Sequence, residues 1–357
     1  MKLFTVGPVQ MYQHTLDVRK QVVPYFRTAE FSEVMLENME LMKKMVNADD
    51  SSEVIFLTAS GSGAMEATVM NCFNENDKLL IISGGTFGER FEKICQIHCI
   101  PYVTLKLGPD ECLTKQHLEK YDNQGFSGIL VNLHETYTGQ LYDIEMINNF
   151  CKKNSLYLIV DAISTFLCDQ YDMGRYEIDA TIVSSQKGLC LSPGLSVVLL
   201  SKKIVEDKVL KNDVRSLYFD FKDYIVNGKR GQTPYTPCVG VCYELNDMLK
   251  TIEKQGVEKR IAEVKERCTY FREKIIQLPV DIPSFPLSNA ITPVRFRKDI
   301  AMQFFNHLKD KKDMMVNPVG GELGKRSIRV AHIGDLRLDD YDTLISEMKQ
   351  FMLDVDV

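Results

Sequence analysis

The sequence predicts an α/β fold, with a mostly parallel sheet sandwiched by helices, followed by a smaller α+β C-terminal domain. Three observations lead to it. Strand-like apolar runs alternate with helix-like amphipathic runs between about residues 50 and 200. Several strand-like runs end in polar or Gly-rich turns, where an α/β sheet presents ligand-binding groups. Beyond about residue 237 the pattern changes to long amphipathic helices separated by short strands.

The elements follow from the spacing of apolar residues, taken in chain order. The first helix is predicted over Thr28–Ala48, where apolar side chains recur at spacings of three and four. The strands predicted next are Glu53–Leu57, Lys78–Ser83, Tyr102–Leu107, Gly128–Leu133, Leu156–Val160, Ala180–Ser184 and Leu195–Leu200. The helices predicted between them are Ala64–Phe73, Glu89–His98, Lys115–Tyr121 and Ile144–Lys153. This alternation favours a parallel sheet covered by helices.

The C-terminal third predicts a separate, smaller unit. Its predicted elements are one or two helices over Cys238–Lys274, helices over Lys298–Lys311 and Leu338–Asp354, and strands over Ala290–Arg297 and Ser327–Val330. We therefore predict an N-terminal arm over residues 1–15, a large domain over 16–240 and a small domain over 241–357.

Composition excludes several classes of protein. A net charge of −6 and a pI near 5.7 argue against a nucleic-acid or polybasic membrane surface. No apolar stretch approaches the roughly 20 residues that a membrane helix needs, and no signal peptide is visible. The ten cysteines are scattered, which predicts reduced thiols and a cytoplasmic location. Cys95, His98 and Cys99 share helical spacing but lack a fourth ligand, so no metal site is predicted.

Two candidate catalytic side chains follow strand-like runs. Asp161 closes the run Leu156–Val160, and Lys187 lies 26 residues further along, after Ala180–Val183. A lone lysine is normally a solvated surface charge, but Lys187 lies between a strand and a Gly/Pro turn that precedes another strand. A lysine amine that forms an imine and a carboxylate that keeps a ring nitrogen protonated are what pyridoxal 5'-phosphate (PLP) requires.

Three further turns follow strands in the same way. Thr58–Ala67 contains Gly-Ser-Gly before a helix, where free N–H groups and the helix dipole favour a phosphate. Ser83–Phe91 places Phe87 between glycines, where its ring could stack on a flat cofactor. Leu133–Gly139 offers hydroxyl groups, Tyr137 among them, that could contact a ring or a substrate. Each motif is weak when taken alone.

In combination, these four turns, their order and the Asp161–Lys187 spacing resemble the class V aminotransferases of PLP fold type I. The resemblance is to the alanine–glyoxylate/serine–pyruvate aminotransferases and the 2-aminoethylphosphonate–pyruvate transaminases, and it runs from Phe4–Pro8 to Ser327–Asp335. It implies the fold type I architecture and a transaminase. Such an enzyme moves an amino group from a small amino acid or aminophosphonate to pyruvate or glyoxylate by a ping-pong mechanism.

The resemblance also implies roles for single residues. Lys187 would form the aldimine with PLP and move the substrate proton, Asp161 would pair with the pyridinium nitrogen, and Arg329 would grip the acidic group of the substrate. The phosphate would be held by Ser62, Gly63, Ala64, Gln186 and, from the neighbouring subunit, Thr236, with Thr233 as a less certain companion. Phe87 and Ile163 would cover the two ring faces, with Tyr137 beside the ring. A homodimer with shared active sites is therefore predicted.

The sequence departs from these relatives at two places. Tyr137 stands where they usually carry Ser or Thr, and Gln186-Lys187 differs from the Asn-Lys-Cys form of the phosphonate transaminases. The role of Arg27 is left open.

Two alternatives remain. The first is a PLP-dependent lyase of the cysteine desulfurase type. Such enzymes carry a histidine on the ring, another before the lysine and a cysteine on a late loop. This chain has Phe87, Gln186 and no cysteine over residues 315–329. The second alternative is a non-catalytic sugar-nucleotide-binding or scaffold protein that uses the same sheet.

Overall fold

A computed structural model describes residues 1–355 as two sheets with helices packed against them, plus a two-stranded ribbon. Its strands are β1 (Lys2–Phe4), β2 (Glu53–Leu57), β3 (Leu79–Ser83), β4 (Tyr102–Lys106), β5 (Gly128–Asn132), β6 (His134–Glu135), β7 (Gln140–Leu141), β8 (Tyr157–Asp161), β9 (Ala180–Ser184), β10 (Ser196–Leu200), β11 (Val280–Asp281), β12 (Ile291–Phe296), β13 (Met314–Pro318) and β14 (Ser327–Ala331). Its α-helices are α1 (Gln13–Arg19), α2 (Ala29–Val46), α3 (Gly61–Cys72), α4 (Thr86–Ile97), α5 (Lys115–Glu119), α6 (Ile144–Asn154), α7 (Lys202–Ile204), α8 (Phe221–Gly228), α9 (Val239–Gln255), α10 (Val257–Ile275), α11 (Ala301–Lys311) and α12 (Leu338–Asp354). A π-helical turn over Val205–Val209 and a 3₁₀ turn over Glu322–Lys325 complete the chain.

The large sheet confirms the predicted fold class. Its seven strands lie in the order β2-β10-β9-β8-β5-β3-β4, and β10 is antiparallel to both of its neighbours while β9, β8, β5, β3 and β4 pair in parallel. The inner strands are buried on both faces, as expected for near-continuous runs of Val, Ile and Leu. The turns that follow the parallel strands therefore meet at one edge of the sheet.

The helix predicted over Thr28–Ala48 shows how local chemistry sets its limits. The side chain of Thr28 accepts a hydrogen bond from the N–H of Phe31, which caps the first turn of α2. Asn47 ends the helix in the left-handed region, at φ 53°. Its buried methionines, including Met35 and Met42, lie in the main hydrophobic core, so the methionine stripe serves packing.

The small sheet has the order β1-β13-β14-β12-β11. Its core contains Phe271, Phe304 and Tyr341, which come from helices packed against it. β1 pairs in parallel with β13, so the N-terminal arm is a strand of this sheet. The domain boundaries near residues 15 and 240 stay a prediction, and residues 356–357 of the predicted small domain lie outside the described part of the chain.

Several elements escaped the sequence reasoning, among them α1, α8 and β13. Helix α1 buries only Thr15, so it has no apolar stripe to detect. Helix α8 spans eight residues and is too short for a periodicity argument. In β13 only Val316 is buried, so the alternation expected of a strand is weak. Helix α3 also begins at Gly61, earlier than predicted, because its glycines masked the first turn.

Candidate active site

Parallel pairing brings the two predicted catalytic segments side by side. Asp161 ends β8 and pairs in register with Ile182 of the neighbouring strand β9. Lys187 follows β9 by three residues. Asn132, at the end of β5, pairs with Asp161 on its other side. The carboxylate and the amine therefore lie at the same edge of the sheet, as predicted.

Asp161 is a carboxyl group in an apolar environment. The side chain is 5 % exposed, and one carboxylate oxygen accepts the N–H of Ile163 at 2.9 Å. Burial raises its pKa to about 6, although the N–H of Ile163 and the positive charges of Lys187 and Arg90 act in the opposite direction. A buried carboxylate of this kind is stabilised by any cationic group placed beside it.

Lys187 has an amine suited to proton transfer near neutral pH. Burial, together with the positive charge of Arg329, lowers the pKa of Lys187 to about 8, while the carboxylate of Asp161 opposes that shift. A lysine with such a pKa can gain and lose a proton under physiological conditions, which an exposed lysine does rarely.

Gly7 lies against Lys187, a contact that the sequence did not reveal. A Cβ at Gly7 would lie 2.6, 2.7 and 2.9 Å from Cδ, Cε and Nζ of Lys187. The segment is anchored to β13 of the small sheet, because the N–H of Val6 donates to Oδ1 of Asn317 at 2.6 Å. The N-terminal arm therefore forms one wall around the lysine.

We expect Gly7→Ala to displace Lys187 without unfolding the protein, because the added methyl group meets the end of a flexible side chain. A displacement of about 1 Å in a reacting group costs about 10²-fold in rate. The measurement is turnover together with the thermal midpoint. Gly108→Ala is the control, since its Cβ would meet nothing closer than 3.6 Å. Wild-type turnover in Gly7→Ala would contradict the expectation.

The turn before α3 forms a cradle suited to an anion. Ser60 occupies the N-cap position, but its side chain makes no capping hydrogen bond, so the helix start is not closed by a side chain. Oγ of Ser196 donates to the carbonyl oxygens of Ala59 and Ser60 at 2.9 and 3.1 Å, which fixes the turn. A Cβ at Gly61 would lie 2.4 Å from Cδ1 of Ile163. The predicted phosphate turn is thus packed directly against the residue predicted to cover one face of the ring.

The side-chain carbonyl of Gln186 already accepts a hydrogen bond within the protein. Its Oε1 accepts the hydroxyl of Ser184 at 2.7 Å. The amide NH₂ group is therefore the end that can donate to an added ligand.

Phe87 and Ser62 are joined by a residue to which the sequence reasoning gave no role. The guanidinium carbon of Arg90 lies 4.5 Å from the centroid of the Phe87 ring, and its Nη1 donates to Oγ of Ser62 at 2.8 Å. Phe87 and Arg90 lie one turn apart on α4, so the helix presents both side chains in one direction.

The backbone of Tyr137 is held by the buried carboxylate of Glu135, to which the sequence reasoning gave no role. Glu135 is fully buried, and its oxygens accept the N–H of Tyr137 at 2.9 Å and the amide of Asn132 at 3.0 Å. Burial raises the pKa of Glu135. The Tyr137 hydroxyl lies 3.5 Å from the position that a Cβ of Gly321 would occupy, so this phenol faces the loop after β13.

Arg329 is a half-buried cation that forms no ion pair with its electrostatic neighbour Glu135. Its Nη1 donates to the carbonyl of Thr136 at 3.0 Å and its Nη2 to the carbonyl of Pro318 at 2.6 Å. Its buried Nε has no partner, and no carboxylate within residues 1–355 lies at ion-pair distance from this arginine. Burial lowers the pKa of Arg329 and the carboxylate of Glu135 only partly opposes this shift, so an anionic ligand would be favoured beside the arginine.

Thr236 is exposed, in a segment that Arg27 secures. The guanidinium of Arg27 donates to Oε1 of Gln232 at 3.1 Å and to the carbonyls of Thr233 and Pro234 at 2.9 and 3.2 Å. The hydroxyl of Thr233 is used locally, in a bond to the carbonyl of Tyr235 at 2.6 Å. Arg27 thus supports the segment rather than reaching Lys187 or Asp161.

Residues 1–355 contain no cluster of three or more His, Cys, Asp or Glu side chains that could hold a metal ion. In the same part of the chain no helix has the length and apolar character needed to cross a membrane.

Comparison with known proteins agrees with this geometry. The family described as Aminotransferase class-V matches residues 16–290. The chain is 27 % identical to an uncharacterized aminotransferase of Methanocaldococcus jannaschii, covering 93 % of this chain and 87 % of the relative. It is 25 % identical to the L-aspartate–glyoxylate aminotransferase of Paracoccus denitrificans, covering 94 % and 86 %. The structure resembles a Thermus thermophilus aspartate aminotransferase with a TM-score of 0.91 at 22 % identity, over 99 % of both chains.

Proposed function

Because the chain belongs to the class-V aminotransferase family and is therefore a transaminase, we propose that it uses PLP to move an amino group between a small donor and pyruvate or glyoxylate in ping-pong fashion. The donor is a small amino acid or an aminophosphonate. The observation that carries the proposal is the placement of Lys187 and Asp161 after adjacent strands, each with a pKa moved toward neutrality. Pairs of groups tuned in this way mark catalytic sites.

The residues present fit PLP. The open helix start over Gly61–Ala64, which includes Ser62, suits the phosphate. The amide NH₂ group of Gln186 would be a further donor to it. Phe87 and Ile163 would cover the two ring faces, Tyr137 would lie beside the ring, and the buried carboxylate of Asp161 would pair with the protonated ring nitrogen. When bound, PLP supplies an electron sink for bond changes at the substrate α-carbon.

The chain itself supplies binding and proton transfer. Nζ of Lys187 moves the proton to and from the substrate carbon, which typically contributes about 10²–10⁴-fold to the rate. Asp161 would keep the ring nitrogen protonated. Arg329 binds the acidic group of the substrate through the nitrogen that has no partner within the protein.

The Lys187 pKa gives a prediction about pH. A pKa of about 8 leaves roughly a tenth of the amines neutral at pH 7 and roughly nine tenths at pH 9. Because only the neutral amine reacts with an aldehyde, we expect the initial rate of PLP uptake by cofactor-free protein to rise between pH 7 and 9. Stopped-flow absorbance measures this rate. A midpoint near 10.5, the ordinary value for lysine, would contradict the assignment.

The donor and acceptor are tested by half-reactions. A relative named an L-aspartate–glyoxylate aminotransferase supports a 2-oxo acid acceptor. Alanine, serine, aspartate and 2-aminoethylphosphonate are each added to the PLP-loaded protein, and the loss of its yellow absorption is followed. Recovery of the colour on adding pyruvate or glyoxylate then identifies the acceptor. No colour change with any amine donor would refute the proposal.

We also propose a homodimer in which Thr236 serves the phosphate of the partner. Thr236 is exposed and so is accessible to a partner. Several large apolar side chains are also exposed to solvent, to 93 % for Val22, 69 % for Tyr25 and 78 % for Leu217, which supports a surface that is covered in a dimer. Sedimentation of the loaded protein should give twice the monomer mass of 40.8 kDa. A fully active monomer would refute the shared site.

The lyase alternative receives less support. Its expected histidines are replaced by Phe87 and Gln186, and residues 315–329 supply no cysteine nucleophile.

A further inference from the structure

We propose that Arg90 is a positioning residue that orients the hydroxyl of Ser62 toward the cofactor phosphate and ties that hydroxyl to the stacking ring of Phe87. The inference rests on the proposed use of PLP. It adds to the site a residue that contacts two of the groups expected to hold the cofactor, each of which comes from a different turn.

The hydrogen bond from Arg90 determines whether the Ser62 hydroxyl is free to donate or to accept. Nη1 of Arg90 lies 2.8 Å from Oγ of Ser62. A guanidinium only donates, so the serine oxygen must accept here, and the single hydroxyl proton of Ser62 is left to be donated elsewhere. A hydroxyl held in this state is a ready donor to an anion in the cradle at the start of α3.

The contact with Phe87 fixes the arginine. Its guanidinium carbon lies 4.5 Å from the ring centroid, within the range of cation–π attraction. The planar group can therefore stack on Phe87 and donate to Ser62 at the same time, which a lysine could not do. The ring expected to cover the cofactor and the hydroxyl expected to bind its phosphate are thereby held in one rigid arrangement.

The charge of Arg90 acts on the carboxylate of Asp161, but the two groups do not form an ion pair. The side chain is half-buried, and within residues 1–355 no carboxylate lies at ion-pair distance from it. A partly buried cation of this kind favours a nearby anionic ligand. The phosphate of PLP, bound one hydrogen bond away through Ser62, would supply that negative charge.

The test compares PLP with pyridoxal, which lacks the phosphate. Dissociation constants are measured by equilibrium dialysis for the wild type, Arg90→Met, Ser62→Ala and the double variant. We expect Arg90→Met to weaken PLP binding by about tenfold to a hundredfold, the range for a hydrogen bond to a charged group, and to leave pyridoxal binding nearly unchanged. In the Ser62→Ala background the further loss from Arg90→Met should largely disappear.

Lys93→Met is the matched control, since it removes one positive charge from the exposed face of the same helix. Thermal midpoints of the cofactor-free proteins show whether each variant folds. If Arg90→Met does not fold, Arg90→Lys takes its place, and we expect for it a smaller loss that is again confined to PLP.

Three outcomes would overturn the inference: equal losses for PLP and pyridoxal, losses that multiply in the double variant, or wild-type PLP affinity in the folded Arg90 variants. A wild type that binds neither compound would instead refute the proposed function, so the two failures are distinguishable.

Discussion

Replacing Lys187 by Ala is expected to abolish transamination, with a loss of at least about 10²–10⁴-fold, the usual contribution of positioned proton transfer. The variant loses both the amine that attaches PLP and the group that moves the substrate proton. The fold should survive, because the lysine is half-buried and the main cores are formed by apolar side chains. Removing a half-buried cation whose pKa is already depressed to about 8 costs little stability.

The measurements for Lys187→Ala are turnover with the best donor and the thermal midpoint of the cofactor-free protein. Lys254→Ala serves as control, because that lysine is exposed in the last turn of α9. A Lys187→Ala variant that turns over within tenfold of the wild type would remove Lys187 from the mechanism.

Replacing Asp161 by Asn is the second large change, and we expect a rate loss of about 10²-fold or more. The amide has nearly the same shape, but it carries no charge with which to hold a proton on the ring nitrogen. Without that proton the ring withdraws electrons poorly. The N–H of Ile163 can still donate to the amide oxygen, so the local backbone should be preserved.

Asp161→Asn should lower activity but raise the free energy of unfolding, and the size of that gain should depend on pH. The folded-state pKa of about 6 lies above the ordinary value of 3.8, so the folded protein binds this proton more tightly than the unfolded chain. Its stabilising contribution is complete below pH 4 and is lost as the pH rises to about 6. Above that pH the buried charge costs about 3 kcal/mol. Cofactor-free Asp161→Asn should therefore gain stability relative to the wild type between pH 4 and pH 7.

Denaturant unfolding at the two pH values measures this gain. Asp179→Asn is the matched control for activity. Asp179 is a buried acid just before β9, at the opposite edge of the sheet, and it accepts the N–H of Leu158 and the hydroxyl of Ser201. Its replacement should leave turnover nearly intact. If Asp161→Asn and Asp179→Asn lose activity equally, Asp161 has no special role.

The large sheet could be predicted because its strands are short apolar runs bounded by turns. Glu53–Leu57 and Ala180–Ser184 match the observed strands β2 and β9 in full. The elements that escaped prediction lack such a contrast between an apolar run and the polar turns around it. Helix α1 is polar on nearly every face, and β13 is partly exposed, held by β1 from the opposite end of the chain. Pairing between such distant segments leaves no local pattern to detect.

The placement of Asp161 beside Lys187 was predictable for a different reason. Asp161 ends one buried strand and Lys187 follows the next, and adjacent parallel strands align their ends. The contact between Gly7 and Lys187 was not predictable, since it depends on the path of the N-terminal arm along the small sheet. Arg90 and Glu135 were visible as charged residues in the selected turns. Their roles depend on which neighbour each side chain contacts, and spacing does not specify that.

The central claim is a covalent bond between Nζ of Lys187 and PLP, and one measurement tests it directly. The purified protein is loaded with PLP, reduced with borohydride, digested and mapped by mass spectrometry. We predict loss of the yellow colour and a single pyridoxyl adduct, on the peptide that contains Lys187. An adduct on other lysines alone, or no adduct at all, would contradict the account.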